Sequence, residues 1–231
     1  MRKQILLTLL LLPLSGMLYS QFSAGVSVGY DRNNLTTGSS YRSFVRHEAK
    51  SGFAIGLPVR YDFRDWFGIQ SELTYMQKNN KTVRDHSYDG FTNESTNSYL
   101  QIPLMAHFSF GGEKLRGFVN LGGYGGYWLT SKNAGVGMNL FGNGPELVYP
   151  YDEKYEFDSR RDNRLEFGLV GGGGMQYALN DKYTLFVEGR YYYSLTDMQK
   201  DYMIKRPIKY NNTFTLSVGC LFAVSKLFNN N

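Results

Sequence analysis

The links between strand-like segments constrain the fold of this chain more than any other feature. Eight segments with strand character are joined by links that alternate between long and short. The long links are Asp31–Lys50, Asn79–Asn97, Thr130–Asn163 and approximately Thr196–Lys209, and the short links are Asp62–Asp65, Gly111–Arg116 and Asn180–Lys182. In an antiparallel sheet this order places every short turn and both chain ends on one side. Small barrels of the bacterial outer membrane have this asymmetry, because their periplasmic turns are tight and their outer loops are long.

Within the eight segments, apolar and polar residues alternate with a period of two. The segments are Phe22–Tyr30, Phe53–Phe63, Phe67–Tyr75, Leu100–Phe110, Val119–Leu129, Leu165–Leu179, Leu185–Tyr193 and Phe214–Phe222. Such alternation indicates β-strands that share one continuous apolar face, and strands of this length cross a bilayer when tilted. Tyr and Phe concentrate at the segment ends, as in the aromatic girdles of membrane barrels.

These patterns together predict an all-β fold, an eight-stranded antiparallel transmembrane β-barrel of the outer membrane. A soluble lipocalin-like barrel, which would turn the apolar face inward, is the alternative.

The N-terminus predicts export. Arg2 and Lys3 precede the apolar run Ile5–Leu12, and a small residue, Ser20, stands at the expected cleavage point. This is the pattern of a secretory signal peptide, so we expect residues 1–20 to be the signal peptide and residues 21–231 the barrel domain. The formal net charge of +5 is too small to indicate nucleic acid binding, and the single cysteine excludes an internal disulfide framework.

The polar face carries charges that we expect inside the barrel: Arg60, Asp62, Glu72, His107, Arg164, Glu166, Glu188 and Arg190. The interior of an eight-stranded barrel is just wide enough to be filled by side chains. Ionised groups in it must pair, because unpaired buried charge is costly. The sequence therefore predicts a lumen charge network of arginine–carboxylate pairs, formed by Arg60, Glu72, Glu166, Glu188 and Arg190, that closes and stiffens the barrel.

The remaining motifs indicate no catalytic, cofactor or metal site. The run Gly171–Gly174 lacks the Lys and Ser/Thr of a phosphate loop and lies within a strand. Its glycines allow sharp curvature or close packing, and Tyr124 or Tyr177 is expected to cover the bare backbone there. His47, His86 and His107 are too scattered for a zinc site. His107 with Ser109 and Glu72 could form a nucleophilic site, but a hydrogen-bonded lumen histidine is the favoured interpretation.

The longest link contains the aromatic and acidic stretch Tyr149–Asp158. Its residue types suit a cation, a glycan or a partner protein, and they equally suit a solvated outer loop. Long loops on a rigid scaffold commonly carry function.

Several stretches resemble the PorT-like or "porin family" outer-membrane barrels of bacteria with type IX secretion. Tyr99–Met105 (YLQIPLM) resembles the family's YLEIPLL strand, with Gln101 at the usual Glu, and Gly117–Tyr124 resembles its glycine-glycine-tyrosine segment. Phe167–Gly174, Glu188–Tyr191 and Ser194–Thr196 are similar to the family's later half. The resemblance implies an outer-membrane barrel and, through one member, a link to protein secretion.

The sequence therefore predicts a non-enzymatic barrel with an envelope, binding or secretion-accessory role carried by its extracellular loops. Outer-membrane lipid and envelope or secretion-machinery proteins are the expected partners, with no cofactor and no nucleic acid. A narrow, low-conductance channel and a lipid-modifying barrel enzyme that uses His107 are the alternatives.

Overall fold

The computed structural model describes residues 21–37, 45–84, 91–138, 148–201 and 208–224. These residues form ten antiparallel strands of one sheet. The strands are β1 (Gln21–Thr37), β2 (Val45–Arg64), β3 (Phe67–Gln77), β4 (Asn80–Arg84), β5 (Thr92–Gly111), β6 (Leu115–Met138), β7 (Val148–Lys154), β8 (Leu165–Ala178), β9 (Tyr183–Ser194) and β10 (Lys209–Ala223).

Eight of the strands close a ring, which confirms the predicted eight-stranded barrel. The hydrogen-bonded order is β1–β2–β3–β5–β6–β8–β9–β10, and β10 returns to β1 with Val28 opposite Val218. β4 continues β3 after a break at Lys78 and Asn79 and pairs with β2 and β5. β7 pairs with the upper half of β6 and precedes β8. The barrel wall thus extends on one side beyond the eight core strands.

The long links are shorter in the structure than in the sequence prediction, because strands extend into most of them. β1 runs on to Thr37, β5 begins at Thr92, and β6 continues to Met138. The link Thr130–Asn163 therefore contains the end of β6 and all of β7. The three short connections remain tight turns, and Gly111 at one of them has a φ of 125°, a left-handed conformation that glycine adopts without strain.

The outer face of the barrel is an exposed apolar band. Val28, Leu57 and Leu104 are each more than half exposed, whereas the alternate residues on the same strands are buried. Aromatic rings gather at the short-turn end, where Phe63, Phe67 and Trp66 lie with ring centroids 5.6–5.7 Å apart. This pattern of apolar outside and polar inside is the predicted one, and it excludes the lipocalin-like alternative with an apolar interior.

Two of the sequence expectations lie outside the described residues, namely the signal peptide at residues 1–20 and the position of His86. Among the described residues, no helix is long and apolar enough to span a membrane.

Candidate functional site

Polar and charged side chains fill much of the lumen, and buried aromatic and apolar side chains such as Tyr99, Met105 and Tyr192 pack among them. All five residues of the predicted charge network are buried: Arg60, Glu72, Glu166, Glu188 and Arg190. They lie at two levels, and each level is held by its own set of hydrogen bonds.

Arg190 on β9 is the centre of the lower level. Its Nη1 donates to Glu72 Oε2 at 2.5 Å and its Nη2 donates to Glu188 Oε2 at 2.6 Å, so one guanidinium holds two carboxylates. Ser27 donates to the second oxygen of Glu72 at 2.7 Å. Glu72 lies against Gly56, where a Cβ atom would come within 1.7 Å of Glu72 Oε1. A glycine in the wall thus makes room for the carboxylate that pairs with Arg190.

His107 connects this cluster to Arg60. Asn120 donates from Nδ2 to Glu188 Oε1 at 2.7 Å, so its Oδ1, 2.8 Å from His107 Nδ1, accepts the proton of that ring nitrogen. His107 Nε2 is then the acceptor for Arg60 Nη1 at 3.3 Å. This chain of bonds requires a neutral imidazole with its proton on Nδ1.

The arrangement around His107 does not assemble the nucleophilic site considered from the sequence. Ser109 donates to the carbonyl of Asp65 at 2.8 Å, and Glu72 bonds Ser27 and Arg190 rather than His107. His107 therefore lacks both a nucleophile and an orienting carboxylate among its hydrogen-bond partners, and its geometry is that of a lumen hydrogen-bond relay.

Lys78 forms the upper level, and the sequence analysis missed it. The ammonium is fully buried, forms an ion pair with Glu166 and lies about 5 Å from the ring centroids of Tyr99 and Tyr124. Tyr124 Oη donates to Glu166 Oε1 at 2.8 Å, and Asn211 donates to Glu166 Oε2 at 3.0 Å. Glu166 thus pairs with a lysine, whereas the sequence analysis expected an arginine.

The periodicity could have identified Lys78. Glu72, Thr74 and Met76 are the preceding inward residues of β3, and Lys78 stands two positions further at the same parity. The apolar alternation of this segment stops at Tyr75, so Lys78 falls outside the predicted strand.

Arg164 was expected inside the barrel, although not in the charge network, and it makes other contacts. Its Nε donates to the carbonyl of Trp128 at 2.9 Å and its Nη2 to that of Leu129 at 3.0 Å. The guanidinium lies over the rings of Tyr127 and Phe157, 4.5 and 4.3 Å from their centroids. Arg164 therefore fastens the segment after β7 to the wall instead of joining the lumen charges.

Aromatic side chains lie over two glycines of β8, but Tyr124 lies at Gly168, outside the run Gly171–Gly174, and within that run it is Phe118 that lies at Gly174. A Cβ atom at Gly168 would lie 2.6 Å from the Tyr124 ring, and one at Gly174 would lie 2.8 Å from the Phe118 ring. Tyr177 faces outward instead. The bare backbone of β8 thus accepts two lumen aromatics that larger residues would displace.

A cap of two short segments covers part of the extracellular end of the lumen. Residues 155–163, between β7 and β8, pair with residues 197–200 through an Asp162–Gln199 bridge and the bond from Lys200 N to Arg161 O. Tyr155 and Phe157 of the cap pack on Trp128, with ring centroids 5.9 and 4.9 Å away. The Tyr149–Asp158 stretch is therefore partly strand β7 and partly cap.

Asp162 is the polar anchor of the cap. It accepts hydrogen bonds from Arg161 Nε at 2.9 Å, from Tyr155 Oη at 2.9 Å and from the backbone N–H of Asp158 at 2.8 Å. Burial alone would raise its pKa, but these bonds to the ionised carboxylate outweigh it, and the pKa of Asp162 is lowered.

Beneath and beside the cap lie two adjoining cavities, which we call the vestibule. The inner cavity has a volume of about 180 Å³ and the outer one about 550 Å³, and the walls of both include Thr82, Asn93, Asn133 and Lys209. In the described ranges, no group of three or more His, Cys, Asp or Glu residues could hold a metal ion.

Solved structures with a similar fold are small outer-membrane barrels. The attachment invasion locus protein Ail of Yersinia pestis is 16% identical, with 87% of this chain and 99% of that chain covered and a TM-score of 0.42. OprG of Pseudomonas aeruginosa is 13% identical, with 88% and 95% covered and a TM-score of 0.49. Neisserial surface protein A is 14% identical, with 87% and 96% covered and a TM-score of 0.44. No curated protein matches this sequence.

The family of this chain is shown by a match between its sequence and a protein-family model. Residues 15–200, most of the chain, match the family model described as an outer membrane protein beta-barrel domain. The apolar outer band and the closed ring of strands agree with that assignment. The chain therefore belongs to the outer membrane protein beta-barrel domain family and is a protein of the cell outer membrane.

Proposed function

We propose that this protein is a non-enzymatic outer-membrane barrel that acts through its extracellular end, as a binding or secretion-accessory component of the envelope. The observation that carries the proposal is the filling of the lumen at two levels, by Lys78 with Glu166 and by Arg190 with Glu72 and Glu188. Because buried ion pairs of this kind are costly to separate, a freely permeable pore is the less favoured function.

The extracellular strand β7 supports a binding role. It extends beyond the apolar band on the edge of β6, and its Val148 and Tyr149 side chains are nearly half exposed. Contiguous exposed apolar patches outside the bilayer commonly mark contact sites, and these two residues are neighbours at the start of β7. The resemblance to PorT-like barrels favours a secretion-machinery protein as the partner.

The experiment is crosslinking and pull-down of the tagged barrel from its native outer membrane. We expect envelope or secretion-machinery subunits to be recovered with the parent protein and lost when Val148 and Tyr149 are both changed to Ser. Lys182→Ser in the periplasmic turn is the control and should leave recovery unchanged. Recovery of the barrel alone from the parent strain would contradict the accessory role.

A narrow channel is the second candidate, and polar cavities at both ends of the barrel favour it. The periplasmic cavity, about 220 Å³, is lined by Arg60, Asp62 and Arg116 among others, and the vestibule lies at the opposite end. Steady single-channel steps in a planar bilayer that disappear in Arg60→Ala or Glu188→Gln would favour the channel over the closed barrel. A silent bilayer with correctly folded protein favours the binding role.

A further inference from the structure

The vestibule has a wall chemistry that differs from the rest of the lumen. Its inner cavity is lined mainly by amides and hydroxyls: Asn80, Thr82, Asn93, Ser95, Asn97, Ser131, Asn133 and Gln199. The lower lumen, by contrast, is closed by direct ion pairs. The vestibule thus contains polar groups with space between them.

We propose that the vestibule binds a short neutral saccharide from the extracellular side. This inference rests on the proposed binding function and names its ligand class. Amide and hydroxyl side chains both donate and accept hydrogen bonds, and sugar hydroxyls do the same, so a ring of such groups matches a polyhydroxylated ligand without requiring a net charge.

The charged side chains in the walls of the two cavities are two cations, Arg84 and Lys209, and two carboxylates, Glu153 and Asp162, so their formal charges balance and a neutral ligand is favoured over an anionic one. Lys209 is the cation shared by both cavities. Burial lowers the pKa of the Lys209 ammonium, and the carboxylates of Asp197 and Asp162 oppose that shift, while Arg161 adds to it. Since carboxylates already offset the lysine, its N–H groups are available as donors without a surplus of positive charge.

Three residues of the inner wall carry buried polar atoms without a hydrogen-bond partner among the described residues. They are the indole Nε1 of Trp128, Oδ1 of Asn97 and Oε1 of Gln199. One is a donor and two are acceptors. Unsatisfied buried groups cost stability in the free protein, and a ligand with hydroxyl groups of both roles can satisfy them with small side-chain adjustments.

Aromatic residues line the outer cavity on the way to the extracellular side. Tyr149 and Tyr151 of β7 lie with ring centroids 6.3 Å apart, and Tyr151 Oη donates to Asn93 Oδ1 at 2.8 Å, which fixes its ring against the wall. Aromatic rings with a polar end suit ligands that have both C–H faces and hydroxyls. The volume of about 550 Å³ leaves room for a second sugar ring beyond the inner cavity.

The test uses tryptophan fluorescence, because the chain contains two tryptophans, Trp66 and Trp128. Trp66 is exposed at the short-turn end, whereas Trp128 is part of the vestibule wall. In the full-length Trp66→Phe barrel, Trp128 alone reports on the vestibule. We expect saturable changes in its emission on titration with at least one of maltose, cellobiose, lactose and N,N′-diacetylchitobiose, with little dependence on salt.

Variants separate a vestibule site from general binding. Lys209→Met and Gln199→Met each remove polar atoms at constant length, and Ser131→Leu fills the inner cavity; each should weaken the association at least tenfold by calorimetry. Lys200→Met is the matched control, because its ammonium bonds the carbonyl of Ser159 outside the cavity walls, and it should bind as the parent does. The fast electrophoretic migration of the unboiled barrel verifies that each variant is folded.

Three results would overturn the inference. They are no saturable response to any of the sugars, equal affinity in the parent and the three vestibule variants, or stronger and salt-sensitive binding of sulfated sugars. If the titration fails but partner proteins are recovered in the pull-down, only the saccharide proposal is rejected. If a sugar binds but no partner is recovered, the saccharide proposal stands and the secretion-accessory role is rejected.

Discussion

At the scale of single residues, Arg190 is the buried cation that forms ion pairs with two carboxylates, Glu72 and Glu188. Replacing it by Ala would leave Glu72 and Glu188 without their cation in a buried site, and we expect a loss of about 3–5 kcal/mol in the free energy of unfolding. Urea unfolding in detergent micelles measures this loss. An unchanged midpoint would show that water or neighbouring groups replace the guanidinium.

The matched control for Arg190 is an exposed ion pair. Lys132 and Asp152 join β6 to β7 at 2.8 Å with both side chains mostly exposed. Lys132→Ala should cost less than about 1 kcal/mol, since surface pairs contribute little. Similar losses in the two variants would mean that burial does not set the contribution of the Arg190 cluster.

Inward-facing residues could be predicted from the sequence only where apolar residues at alternate positions identify the outward face of the strand. Arg60, Glu72, Glu188 and Arg190 each lie next to at least one outward apolar residue within an alternating segment, so parity alone indicated that they face inward. Lys78 lies beyond the last apolar neighbour of its strand. The partner of each charge depends on the stagger between strands, which one sequence does not contain, so the pairing of Glu166 with Lys78 could not be predicted.

At the scale of elements, the cap depends on the ionisation of Asp162. The pKa of Asp162 is lowered in the folded protein, so its contribution to cap stability is complete above the ordinary carboxyl range of about 3.9 and is lost as the pH falls through the folded value. We expect hydrogen exchange of residues 155–163 and 197–200 to accelerate selectively below about pH 4.

Asp162→Asn is the control for this pH effect, because it should accelerate exchange of the cap at neutral pH and abolish the acid-dependent step. The barrel strands β8 and β9 should keep their protection in both proteins. Uniform loss of protection on acidification would assign the effect to the whole barrel rather than to Asp162.

The neighbouring glycines of β6 give a second test at the element scale. A Cβ atom at Gly122 would lie 2.0 Å from the carbonyl oxygen of Leu104, whereas at Gly123 its nearest contact, the carbonyl oxygen of Gly168, would be 3.4 Å away. Gly122→Ala should therefore cost about 1–3 kcal/mol by forcing β5 and β6 apart. Gly123→Ala should be close to neutral, and equal losses would refute this close approach.

The strands were predicted too short for a physical reason that is visible in β1. From Phe22 to Tyr30 one face contacts lipid and the other the lumen, so hydropathy alternates. From Asp31 to Thr37 the strand continues above the bilayer, where water can reach the outer face, and the alternation disappears while the hydrogen bonds to β10 persist. Hydropathy therefore detects the membrane-spanning part of a strand, and backbone pairing determines its full length.

At the scale of the whole molecule, the barrel combines an apolar band, a closed lower lumen and a polar vestibule along one axis. The band fixes the depth of the barrel in the membrane, and the lumen clusters sit within the wall at that depth. The vestibule and cap lie beyond the band, where solvent can reach them. This order places the buried ion pairs in the membrane-spanning part and leaves the extracellular end as the site of the proposed binding role.

The two tryptophans test this arrangement in a bilayer. Trp66 is exposed next to the aromatic rings of the short-turn end, and Trp128 is buried under the cap. Interfacial aromatic rings lie at headgroup level. Lipids brominated on the acyl chain close to the headgroup should therefore quench Trp66 fluorescence more than lipids brominated close to the terminal methyl group.

Trp128 should be insensitive to both lipids, because the barrel wall separates it from the acyl chains. The single-tryptophan variants Trp66→Phe and Trp128→Phe isolate the two signals, and fluorescence in vesicles measures the quenching. Quenching of Trp128 by lipid would place the residue on the outer face and would contradict the assignment of the vestibule to the barrel interior.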